Sequence, residues 1–91
     1  MRAKVYFTRE ITPEKVVGLY RALGVELPGR VAVKVHSGEK GNQNFLRPAF
    51  WRPMVEAVHG TIVECNTAYG DAAGGVRDHT ESHRKLLEEH G

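Results

Sequence analysis

Cysteine is nearly absent: Cys65 is the only one in 91 residues. That excludes an intramolecular disulfide and any metal site made of cysteines alone. Charge of one sign is also missing, since 13 Lys and Arg against 11 Asp and Glu leave a formal +2. The signs are interspersed, and no basic stripe carries interleaved aromatics, so nucleic acid is not an expected partner. No apolar run approaches the roughly 20 residues of a membrane span. The start, Met1 to Thr8, reads as a strand and lacks the apolar stretch of a signal peptide. A cytoplasmic protein with no membrane partner is the expectation. What remains, 41% hydrophobic and 26% charged residues, is ordinary for a globular domain. One α/β domain over residues 1–91 is expected, with a core that is adequate rather than generous.

The chain reads as three strand–helix units without a low-complexity linker. Val5-Tyr6-Phe7 begins the first strand. Thr12-Pro13-Glu14 then supplies an N-cap, a proline at the first helical position and an acid in the first turn. Val16, Leu19, Tyr20 and Leu23 follow at helical spacing, and Gly24 is placed to end that helix. Val31 to Val35 is the second strand. Pro48 and Pro53 bracket the entry to a second helix, with Pro53 expected in its first turn. Gly60 closes that helix and Thr61 to Cys65 forms the third strand. Asp78-His79-Thr80-Glu81 has the form of a capping box for a polar last helix, about His79 to Glu89, anchored by Leu86 and Leu87. Alternating units of this kind imply a small parallel sheet with helices on at least one face. Three strands leave two open edges, which a second copy or downstream sequence is expected to cover.

Two polar loops leave the carboxyl ends of the second and third strands, where open α/β sheets place their ligand crevice. The first runs from His36 through Ser37, Glu39 and Asn42 to Asn44. The second runs from Cys65 through Asn66, Thr67 and Asp71 to Gly75. His36 and Cys65 end strands that are expected to be neighbours, so an imidazole–thiolate pair is one reading. A half-buried cysteine and an unrelated loop histidine is the other. His36, Glu39 and Cys65, with Glu64 or Asp71, offer mixed metal ligands but no tight ligand spacing. Lys34 and Glu64 are either a cross-strand ion pair or, for Lys34, an anchor for an anionic ligand. Ser37 to Asn42 has glycines and amides suited to an anion, without a phosphate-loop pattern. His79 and His83 share a helical face, read as a solvated one. Arg47, Trp51 and Arg52 form a basic-aromatic patch that suits either partner contact or simple packing.

Three runs carry a resemblance: Lys34 to Asn42, Asn44 to Pro48, and Gly60 to Gly70. Together they resemble the start of a bacterial and archaeal family, domain of unknown function 362, often labelled iron–sulfur center proteins. The resemblance extends from Lys4 to His90. It implies a cytoplasmic α/β protein several times longer, of which this chain is an N-terminal part. Many members end in a ferredoxin-like segment holding four-iron clusters, and its ligands are absent from this chain because such clusters need four thiolates.

Two functional expectations follow. In the first, the chain is the N-terminal portion of an iron–sulfur, redox or ligand-binding protein. His36 acts there as acid/base or ligand and Cys65 as thiol or ligand. Lys34, Ser37, Glu39, Asn42, Glu64, Asn66 and Thr67 line a small-molecule site. In the second, it is a non-catalytic binding or assembly module completed by self-association, with Trp51 and an open strand edge as the important features.

Overall fold

The computed structural model describes residues 2–70 and 74–91. Helix α1 spans Pro13–Ala22 and starts as its sequence implies. The Thr12 hydroxyl accepts from the Lys15 amide at 3.2 Å, and Pro13 occupies the first turn. The chain leaves the helix at Leu23 and enters a left-handed turn at Gly24, φ +64°. The buried residue is Val17, while Leu23 is left exposed beyond the last turn. One face of α1 packs against helix α2, Pro48–Ala57.

Strands β1 (Ala32–Lys34) and β2 (Thr61–Val63) pair in parallel, in the register Ala32↔Thr61, Val33↔Ile62 and Lys34↔Val63. Thr61 N–H to Val31 O (2.8 Å) and Val35 N–H to Val63 O (3.2 Å) extend the ladder at both ends. Burial alternates along β1: Val33 is half-buried and Val35 buried, while Ala32, Lys34 and His36 are exposed. Pro48 takes the first turn of α2, so Pro53 falls in the helix interior instead. Its ring nitrogen has no hydrogen for the Ala49 carbonyl. The turn from α2 into β2 is tight. A Cβ at residue 60 would come within 2.6 Å of Val33 Cγ2, so glycine is needed there and the left-handed conformation falls on His59 at φ +49°.

The sheet is therefore a two-stranded parallel one in a mixed α/β chain with three helices. The expected first strand does not form. Residues 2–7 have no regular structure, and Val5 and Phe7 are 87% and 79% exposed. A strand exists only through its ladder, and no segment among the described residues pairs with this one. No helix among the described residues is long and apolar enough to cross a membrane.

Helix α3, Thr80–Glu89, differs at its start from the expected capping box. His79 occupies the N-cap position with extended backbone and caps nothing. Asp78 instead turns its carboxylate to His79 Nδ1 at 3.1 Å. His79 is exposed but His83 is buried, so the two do not share a solvated face. Of the buried side chains only Val17 belongs to α1. Val35, Ser37, Phe45, Arg77, His83 and Leu86 gather beyond the carboxyl ends of the strands, under α3. The molecule is open for its length. Its radius of gyration is 15.8 Å, where a compact chain of 91 residues has about 12 Å. It exposes 7291 Å², where such a chain exposes about 5,300 Å².

Candidate functional site

Two hydrogen-bond networks meet at the carboxyl end of the sheet. The first centres on Glu64, which follows β2 directly. Its carboxylate accepts from the Cys65 amide at 2.9 Å, the Ser37 amide at 3.1 Å and the Lys34 ammonium. The ion pair expected between Lys34 and Glu64 is thus present, and Lys34 also donates to Val35 O at 2.9 Å. Ser37 Oγ lies 3.2 Å from Glu64 Oε2 and 3.2 Å from His83 Nε2. His83 Nδ1 lies 3.1 Å from Asn66 Oδ1, and Asn66 Nδ2 donates to Thr80 Oγ1 at 3.1 Å. Burial alone would push the Glu64 carboxyl up, but the bonds from Lys34, Cys65 and Ser37 outweigh it and hold it at about 2.

The second network centres on Glu39 and the buried Arg77. Glu39 accepts from the Lys40 amide at 2.9 Å, the Val76 amide at 3.0 Å and Arg77 Nε at 2.9 Å. Burial again opposes the charge, and these donors overcome it, leaving the carboxyl at about 2. The Arg77 guanidinium is pushed up from its ordinary value: burial lowers it, and the bonds to Glu39 and Tyr69 more than compensate. Its Nη2 donates to the Tyr69 hydroxyl at 2.8 Å, and its Nη1 meets His36 Nδ1 at 3.3 Å. A guanidinium only donates, so this contact is a hydrogen bond only when His36 Nδ1 carries no hydrogen and accepts. In that arrangement the Nδ1 lone pair is taken up by Arg77.

The remaining expected residues serve the loops. Asn42 donates its amide to Glu39 O at 2.9 Å and accepts from the Asn44 amide at 2.8 Å. Thr67 bonds Arg77 O through its amide and Tyr69 O through its hydroxyl, at 2.8 and 2.7 Å. Cys65 is exposed, and no hydrogen bond joins its thiol to His36 among the described residues. No group of three or more His, Cys, Asp or Glu side chains converges on a metal position among the described residues. Asp71 lies outside those residues. The amides of Ser37, Lys40 and Asn42 are committed internally, so the first loop does not present them to an anion.

Beside these networks runs a groove of about 320 Å³, lined by Val35, Phe45, Leu46, Trp51, Ile62 and Leu87, with Ser37 and His90 at its polar side. His90 forms part of its wall: its Nδ1 donates to Ser37 O at 2.7 Å, and its ring stacks on Phe45 with centroids 4.4 Å apart. Arg47 lies over the Phe45 ring at 4.1 Å. Trp51 donates to Leu46 O at 3.2 Å, which fixes its indole in the groove wall.

Compared with known proteins, the chain matches no family model, no curated protein and no solved structure. The site therefore rests on its own geometry. That geometry brings Lys34, Ser37, Glu64 and Asn66 into one network and His36 and Glu39 into the other. Arg77, Tyr69, His83 and His90 were not among the expected site residues, yet they hold it together. The signal was present in part: His83, Leu86, Leu87 and His90 follow the i, i+3, i+4, i+7 spacing of a single helical face.

Proposed function

We propose that the chain is the site-bearing α/β portion of a cytoplasmic ligand-binding or redox protein, its small-molecule site at the carboxyl ends of β1 and β2. The observation that carries this reading is the fully satisfied polar network of Lys34, Ser37, Glu64, Asn66 and His83 beside an uncovered apolar groove. One ion pair and several hydrogen bonds fix these side chains before any ligand arrives, and a few fixed polar groups beside apolar walls are what small-molecule sites are made of. His36 is engaged with Arg77, and Cys65 presents an exposed thiol. In the completed protein, residues 4–8 add a third strand and a larger α/β fold covers the rest. An exposed area about 2,000 Å² above that of a compact chain supports this, since a standard interface takes only about 800 Å² per partner. The resemblance to iron–sulfur center proteins supports a longer relative whose clusters lie elsewhere.

A second reading, an assembly module without chemistry, is favoured by one feature. Val5, Phe7 and Ile11 are exposed together on a segment with strand alternation, suited to pairing with a second copy. Native mass spectrometry on protein kept anaerobic from its source separates the two. A longer polypeptide or complex carrying bound mass, iron and sulfide included, supports the first reading. A homo-oligomer without bound mass, dispersed by Phe7→Glu, supports the second. A bare 91-residue monomer refutes both.

A further inference from the structure

Ser37 lines the apolar groove while its hydroxyl meets the buried His83 ring at 3.2 Å. Asn66 holds the far side of that ring, and its own amide is oriented by Thr80. With a neutral ring and the Asn66 oxygen toward it, His83 Nδ1–H donates to Asn66. Its Nε2 lone pair is then the acceptor for the Ser37 O–H. Hydroxyl, imidazole and an orienting carbonyl in series are the parts of a nucleophilic serine site. The N–H of Gly38, next after Ser37, has no acceptor among the described residues. The residue after a nucleophile supplies the oxyanion donor in α/β-hydrolases.

Glu64 competes for the same hydrogen, its Oε2 also 3.2 Å from Ser37 Oγ. If Ser37 donates there, His83 Nε2 must carry a hydrogen and donate to Ser37. A neutral ring then requires the Asn66 amide turned over, nitrogen toward His83 and oxygen toward Thr80. With a neutral ring, the Asn66 orientation found here fits the arrangement in which Ser37 donates to His83.

We propose that Ser37 is a nucleophile toward esters of apolar acyl groups, with His83 as its base and Asn66 as the positioning residue. The inference rests on the ligand-site reading above for its location and adds a reaction to it. The acyl chain lies along Val35, Phe45, Trp51 and Leu87. Ser37 Oγ bonds to the carbonyl carbon as its hydrogen passes to His83 Nε2. The ester C–O bond then breaks, and the leaving alkoxide takes that hydrogen. Water repeats the sequence to release the acid.

An alkyl fluorophosphonate tests the first step, because Oγ–P forms, P–F breaks, fluoride departs and the hydrogen goes to His83. Intact and peptide mass spectra of the folded protein should show one adduct, on Ser37, absent from Ser37→Ala. His83→Gln and Asn66→Leu should slow labelling by about tenfold or more, while Asn66→Asp stays within about threefold of the native rate. Circular dichroism checks that each variant is folded. No adduct on the native protein, an adduct elsewhere, or an unchanged rate in folded His83→Gln overturns the proposal, and the native protein alone decides it if that variant does not fold. Bound ligand and assembly are read separately by native mass. An unlabelled Ser37 in a protein that still carries ligand sinks the nucleophile and leaves the ligand site standing.

Discussion

Replacing Glu64 by Gln isolates the charge at the centre of the first network. The glutamine amide keeps the shape but turns one oxygen into a donor, which then faces Lys34 and Cys65 N–H or Ser37. The carboxyl stands at about 2 in the folded chain against 4.5 unperturbed. That difference amounts to about 3 kcal/mol of folding free energy. Lys34 is 55% exposed, so solvent screening brings the net value nearer about 2 kcal/mol. For a chain whose whole stability is about 5–14 kcal/mol, this is a large share. The sign is fixed by the direction: an acid held lower in the folded state contributes fully above pH 4.5 and loses that contribution as pH falls toward 2. Glu39 acts over the same window. Urea unfolding followed by Trp51 fluorescence at pH 7, 4.5, 3 and 2 measures it. Glu64→Gln should be less stable by about 2 kcal/mol at pH 7 and nearly equal to the native chain at pH 2. A deficit of constant size at every pH, or none at pH 7, refutes the electrostatic account.

Gly38→Ala should cost about 2–4 kcal/mol, because Gly38 has φ +83° and an added Cβ would lie 2.5 Å from Phe45 Cδ1. A thermal midpoint equal to the native one would contradict this. Alkylation of Cys65 by iodoacetamide should proceed in the native state and change by less than about twofold in His36→Ala, since the thiol is exposed and the imidazole is engaged with Arg77. A tenfold drop in that variant would restore the thiol–imidazole pair.

What could be read from the residues was local or governed by parity. The Thr12-Pro13-Glu14 start of α1 depends on three neighbours and formed as its chemistry requires. The alternation of valine with other residues in Val31 to Val35 matches which side of β1 is covered, and it leaves Lys34 where Glu64 reaches it. Residues 4–8 carry an equally good alternation, but a strand also needs a partner at long range, and alternation says nothing of that. Arg77 was invisible for the same reason: its partner Glu39 lies 38 positions away. His83 was hidden differently. Treating histidine as a solvated residue breaks the stripe of α3, although a ring with two hydrogen-bonding nitrogens is at home in a satisfied interior. Asp78 had the right identity for an N-cap, yet it pairs with His79 next to Gly70, where a Cβ would collide with its carboxylate.

The manner in which α3 is attached has a consequence for how the molecule opens. That helix is held by Leu86 and by polar contacts to residues 37 and 66 rather than by a broad helix or sheet face. Its lowest-energy excursion is therefore to peel away as a unit while α1, α2 and both strands keep their own contacts. Amide exchange in α3 should then run ahead of exchange in β1 and β2. Each such excursion uncouples His83 from Ser37 and His90 from Phe45 in one event. Whatever clamps α3 therefore sets how long the hydroxyl–imidazole contact and the His90–Phe45 stack persist.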